Sequence, residues 1–267
     1  MEALRNCIFP VLKAYRSISA RAREQLLLDI SLVVSGLRAA CLLDASFISA
    51  ECLDQLALAL SSPSAPNTYV GALLHPGPMP FLIHVPLLQE RLLAHSDPST
   101  PFHIINVDPD LAQPLPITDP KVYDPLLHEM KQILQPCLSS PPGSSSHPLH
   151  LSLPSLPLLH PILLTAFLLE YPVGYTMPPS DREDEEPRGN CLSGRPLHLI
   201  QLLAPPSPSL PLHLILSFSL PQSLSISLDP ILKFIHIRWS RRAKLQTLWP
   251  TLSTLSTQSV TLSSVAL

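Results

Sequence analysis

SARAREQLLLDISLVVSGLRAACLLD, residues 19–44, carries the reading that decides the fold class. In residues 19–36 the apolar positions recur at spacings of three and four, as one face of a helix requires. Ser19 stands where an N-cap belongs and Gly36 where a helix ends in a left-handed residue. Residues 37–44, LRAACLLD, are then a short continuous apolar run closed by Asp44, which reads as a strand buried on both faces. A helix passing straight into a buried strand places the chain among α/β or α+β folds.

The same pattern continues on either side. Residues 49–60 repeat the helical spacing, with Ser49 as cap and Glu51 in the first turn. TYVGALLH (68–75) and PFLIHV (80–85) read as two strands around the turn PGPMP. LLQERLLAH (87–95) reads as a helix, FHIINVD (102–108) as a strand and KVYDPLLHEMKQILQ (121–135) as a helix. Residues 136–160 interrupt the alternation with a Pro/Ser/Leu-rich, nearly uncharged insertion, read as a linker. Beyond it, AFLLEYPVGYTM (166–177), RPLHLIQLL (195–203) and LPLHLILSFSL (210–220) read as strands. The first two of these read as neighbours, joined by an acidic connection. Residues 228–249 read as a basic amphipathic helix, residues 1–18 as a lead segment and 250–267 as a loose, uncharged tail. The expected fold is thus an α/β or α+β domain over 19–249, with a mixed β-sheet of about six to seven short strands flanked by helices. The tetrapeptide PLHL occurs at 148, 196 and 211 with unequal spacing, a product of composition rather than a repeat.

Composition narrows the chemistry. Leucine supplies about 55 residues, roughly a fifth of the chain and far above ordinary usage. Proline is abundant at 33 and glycine scarce at 7. The glycines, at 36, 71, 77, 143, 174, 189 and 194, form neither G-x-G-x-x-G nor G-x-x-x-x-G-K-[ST], so no common nucleotide loop is expected. A net charge of −3 argues against nucleic acid. The charge is nonetheless uneven. DREDEE (181–186) holds five acids and one base, while no acid follows Asp229 and Lys233, Arg238, Arg241, Arg242 and Lys244 cluster. Five cysteines, at 7, 41, 52, 137 and 191, include no C-x-x-C, which disfavours cysteine-pair zinc sites and a disulfide framework. The expected location is cytoplasmic or nuclear, with mitochondria the minor alternative on account of the basic N-terminal segment. The most apolar window, 153–173, is broken by Pro154, Pro157 and Pro161, so no transmembrane span is expected.

Few residues stand out as candidates for chemistry. Asp44 and Asp108 each close a strand, and Asp110 lies two beyond Asp108. Carboxylates at strand ends suit a polar substrate or a hard cation, but an Asp before proline reads first as the start of a turn. His84 and His103 fall within strands and read as packed residues. His147 and His150 lie in the insertion. Cys191 has no local base to lower its pKa, and Ser193 sits in C-L-S-G rather than G-x-S-x-G. No cofactor and no metal site is expected, and no catalytic residue is assigned. The helix 228–249, with Trp239 and Trp249, reads first as a terminal helix packed on the sheet with its basic face in water; a partner's groove or a membrane surface is the alternative.

Three strings, SGLRAACLLD, LLEYPVGYTM and NCLSGRPLHLI, give the chain a family resemblance. It resembles an uncharacterised vertebrate family, a domain of unknown function whose human member is known only as a chromosome 1 open reading frame protein. The similarity covers residues 20 to 135 and 163 to 220. It implies a cytosolic or nuclear protein of about this length and carries no activity to any position. The function expected is a non-catalytic interaction or scaffold protein with an unknown protein partner. The alternative is an enzyme with a polar or metal-assisted site near Asp44, Asp108 and Asp110.

Overall fold

The computed structural model describes residues 1–15, 18–44, 48–61, 68–75, 79–94, 102–139, 148–152, 160–177, 190–204, 212–245 and 254–263. Among them, α1 (Glu2–Ala14) carries Leu4, Ile8 and Leu12 on one face, and all three are buried. The lead segment is therefore part of the core. α2 (Ala20–Val34) begins as its sequence demands, with Ser19 Oγ accepting from Ala22 N–H at 3.1 Å. It ends with Gly36 at φ 71°. Gly36 N–H is donated to Val33 O and Leu37 N–H to Leu32 O, the paired bonds that close a helix through a left-handed residue.

β1 (Ala40–Leu42) follows, then α3 (Ala50–Leu60), capped by Ser49 Oγ on Cys52 N–H at 3.2 Å. β2 (Tyr69–His75) and β3 (Met79–His84) form an antiparallel pair, and β1 adds antiparallel to β3. The strand period of two then divides their side chains. Cys41, Leu43, Leu73 and Leu82 face α1, α2 and α3. Ala40, Ala72, Leu74, Phe81 and Ile83 face the opposite way. Gly71 lets α3 approach the sheet, since a Cβ there would lie 2.6 Å from Leu53 Cγ.

α4 (Val85–Ala94) leaves β3 without a loop and packs Leu88 and Leu92 on that second face. β4 (His103–Asn106) and β5 (Leu115–Pro116) pair antiparallel. α5 (Pro120–Ser139) adds Leu126, Met130, Leu134 and Cys137 to the same core. The first sheet is completed by β6 (Leu149–Ser152), parallel to β2, giving the order β1-β3-β2-β6 between two helical layers. α6 (Pro161–Leu168) and β7 (Val173–Thr176) come next, and β7 pairs parallel to β4. β8 (Pro196–Ala204) and β9 (His213–Pro221) form a long antiparallel pair. α7 (Leu228–Ala243) packs against them through Ile231, Ile235 and Trp239, and β10 (Thr254–Thr261) adds antiparallel to β8.

The class is α+β; β1, β2 and β3 are covered on both faces as their apolar runs implied, whereas β8 and β9 alternate buried with less buried positions and β10 is largely exposed. Several expectations need correction. Ten strands, not six or seven, are present among the described residues, and they form three sheets rather than one. AFLLEYPVGYTM is not one strand. Its first part is the end of α6, a helix apolar on nearly every side, and an apolar run that short carries no period to tell helix from strand. β7 and β8 are not neighbours either, since they belong to different sheets. The insertion 136–160 contains the end of α5 and all of β6, whose parallel partner lies far back in the chain. The loose tail contains β10, an eight-residue strand with full register along β8. DREDEE, Trp249 and His147 lie outside the described residues.

Candidate functional site

The basic helix α7 does not turn all of its charge to water. Ile231, Ile235 and Trp239 recur every fourth residue and are buried. Arg238 and Arg242, also four apart, flank that stripe and reach inward. Both end on Glu170. Arg238 Nη2 donates to Glu170 Oε1 at 2.5 Å, and Arg242 Nη1 donates to Oε2 at 2.8 Å and to Oε1 at 3.0 Å. Ala39 N–H donates to Oε2 at 2.8 Å, and Arg242 Nη1 also reaches Leu37 O at 3.0 Å. One carboxylate thus joins the turn after α6, the link from α2 to β1, and the inner side of α7.

Glu170 is fully buried and has φ 63°, the one non-glycine residue with positive φ among those described. Its N–H goes to Phe167 O and Tyr171 N–H to Ala166 O, the same closure that ends α2. Glycine fills that place in α2. Here a glutamate takes it, at about 1–2 kcal/mol of backbone strain. The strain is held by the ion pairs the side chain makes. Burial pushes the Glu170 carboxyl up, but the charges of Arg242, Arg238 and Arg91 overrule it and hold it well below the usual range. Arg91 on α4 stacks over Phe167, 4.5 Å from the ring centroid, and donates Nη2 to Tyr171 O at 3.0 Å. Burial brings its pKa down to about 9 against the pull of Glu170. Three guanidiniums therefore surround one carboxylate. Arg91 Nε, Arg238 Nε and Arg242 Nη2 are buried without a hydrogen-bond partner, and Glu90 Oε2 lies 3.7 Å from Arg242 Nη2.

This cluster backs a cleft of about 880 Å³ between the end of α2, α4 and α7. Lys233, Arg238, Arg241 and Arg242 supply four cations to its wall, against Glu90 alone. Val34, Leu87, Phe234, Ile237 and Leu245 supply apolar surface, and Ile237 and Leu245 are exposed. His84, between β3 and α4, also lines the cleft. Its Nδ1 accepts from Leu87 N–H at 3.3 Å, capping α4, so the neutral ring carries its proton on Nε2. Burial keeps it neutral by lowering its pKa, assisted by the charge of Arg242.

Residues 10–267 match the family described as Domain of unknown function, DUF4504. The chain belongs to the DUF4504 family. No curated protein and no solved structure matches it. The resemblance drawn from the three strings agrees with this membership in being to a domain of unknown function.

The aspartates singled out in this DUF4504 chain lie elsewhere. Asp44 follows β1, exposed, in the first sheet. Asp108 and Asp110 follow β4 in another sheet, where Asp108 Oδ1 accepts from Asp110 N–H at 2.8 Å, a turn bond rather than a free ligand. None of the three lines the cleft. Among the described residues no group of three or more His, Cys, Asp or Glu is placed to hold a metal ion. Cys191 is buried, its N–H bonded to Val107 O, and burial raises its pKa although Arg195 pulls the other way. Ser193 is exposed beside it, and His103 opens β4 with its pKa lowered by burial. His150, in the insertion, meets His75 across β2 and β6, Nδ1 to Nε2 at 3.0 Å. The sequence pointed to the basic helix but not to Glu170, whose only signal was an acid within an apolar run. No described helix is long and apolar enough to cross a membrane.

Proposed function

We propose that this chain acts by binding, as an interaction protein that receives an acidic segment of a partner in the cleft between α2, α4 and α7. The observation that carries this reading is the cleft wall, where four cations face one carboxylate beside exposed Ile237 and Leu245. A concave shape, apolar lining and one sign of charge together suit a charged group on an apolar body. Nucleic acid fits poorly, since the chain as a whole is acidic and the cations are confined to one concave site. A membrane surface fits poorly too, because the apolar stripe of α7 is already buried under Trp239. All five cysteines are free thiols, which suits a cytoplasmic or nuclear setting. The enzyme alternative would need Asp44, Asp108 and Asp110 to share a pocket, and none of them lines this one.

The test is binding of glutamate-rich peptides, with an apolar residue at each end, to the full chain by fluorescence anisotropy. Lys233→Glu with Arg241→Glu, both exposed, reverses two of the four wall charges and is expected to weaken binding by tenfold or more, about 1.4 kcal/mol. Binding that is unchanged by the double reversal rejects the cleft as the contact.

A further inference from the structure

The charges around the cleft do not balance. Of its four cations, Glu90 on the rim and Glu170 behind it answer two. Two positive charges remain, before the nearby Arg91 is counted. Arg242 is buried, with only 6% of its surface exposed, and lines the cleft while its Nη2 lacks a hydrogen-bond partner. Glu90 Oε2 sits at 3.7 Å from that nitrogen, near enough to attract and too far to bond, and the Glu90 side chain is largely exposed. Arg238 and Arg241 lie three residues apart, about one turn of α7, and His84, with its proton on Nε2, lines the same cleft.

We infer that the cleft recognises a phosphate monoester carried on a side chain of the partner segment, with Glu90 holding its place when the cleft is empty. The inference rests on the binding function proposed above and deepens it. A monoester brings close to two negative charges, matching the residual charge, and three acceptor oxygens; a carboxylate brings one charge and two oxygens. An incoming phosphate oxygen takes hydrogen-bond distance to Arg242 Nη2 and turns Glu90 outward. Arg241 and Lys233, exposed on the rim, close on the remaining oxygens. Ile237 and Leu245 border the same opening and take apolar residues flanking the modified one. A protein segment is favoured over a lipid headgroup because the site is concave and the Ile231, Ile235 and Trp239 stripe of α7 is already buried in the core.

The experiment uses the full chain and four probes: a peptide library with fixed phosphoserine, the same library with glutamate in its place, inorganic phosphate, and phosphatidylcholine vesicles carrying a phosphoinositide. The phosphoserine library is expected to select sequences that bind about tenfold or more tighter than their glutamate counterparts. Glu90→Gln is expected to tighten that binding several-fold, and Arg241→Ala to weaken it by about tenfold. Lowering the pH below about 6 protonates the monoester and is expected to weaken the phosphopeptide more than the glutamate peptide. Equal binding of the two libraries overturns the phosphate inference and leaves the acidic-segment reading standing. Binding of neither overturns both. Binding of inorganic phosphate or of vesicles, without a peptide preference, overturns the partner-protein source. Because Glu90 is exposed and outside the core, its variant separates recognition from folding; a Glu90→Gln chain that binds more weakly also refutes the role given to Glu90.

Discussion

Replacing Glu170 by glutamine tests what holds the centre of this fold. The side chain keeps its shape but loses its charge, leaving Arg238 and Arg242 buried with no carboxylate between them. Breaking one side of a buried ion pair costs about 3–5 kcal/mol. Glutamine shares the unfavourable left-handed backbone, so nothing on that account offsets the loss. Glycine relieves the left-handed backbone by about 1–2 kcal/mol but also removes the acceptor of Ala39 N–H, so Glu170→Gly is expected to be less stable than the wild type as well. In a chain of this size each kcal/mol moves Tm by about 2–4 °C, which puts the glutamine variant roughly 6–20 °C below the wild type. Urea unfolding of the three chains, followed by tryptophan fluorescence from buried Trp239, measures the order directly. A Glu170→Gly chain as stable as the wild type would refute the reasoning, because backbone strain would then outweigh the ion pairs. The pH dependence gives a second reading. The Glu170 carboxyl is held below the usual range in the folded state, so its contribution is complete above the unfolded glutamate value of about 4.3 and is lost as pH falls below it. The wild type should lose stability on acidification through that window more steeply than Glu170→Gln does.

Gly71→Ala places a Cβ 2.6 Å from Leu53 Cγ and is expected to cost about 1–3 kcal/mol, read from the shift of the urea midpoint. Trp239→Ala empties a fully buried site beside Ile231 and Ile235 and is expected to cost about 3–5 kcal/mol by the same measurement. Deleting residues 250–267 removes β10 and bares the edge of β8 along its whole register, so light scattering should show association at concentrations where the full chain shows none.

The interior helices and strands of the first half were legible because their signals are local. Ser19, Gly36 and Ser49 act within a few residues of themselves, and the apolar runs of β1, β2 and β3 state their own burial. The second half was less legible for two physical reasons. Where every residue is apolar, as in α6, no period distinguishes helix from strand. Where a strand finds its partner far along the chain, as β6 does on β2 and β10 does on β8, its own residues need carry no strong pattern.

The candidate site divides in the same way. The sequence alone determined that α7 is amphipathic and basic, that no common nucleotide loop is present, and that the class mixes helices and strands, since each follows from residue type and spacing. Only the tertiary structure decided that Arg238 and Arg242 face inward, that Glu170 receives them in a left-handed turn, and that α2, α4 and α7 leave a cleft between them. An ion pair between residues some seventy positions apart leaves no periodicity behind. Its partners are chosen by packing, where a buried charge requires the one opposite charge that the fold brings within reach.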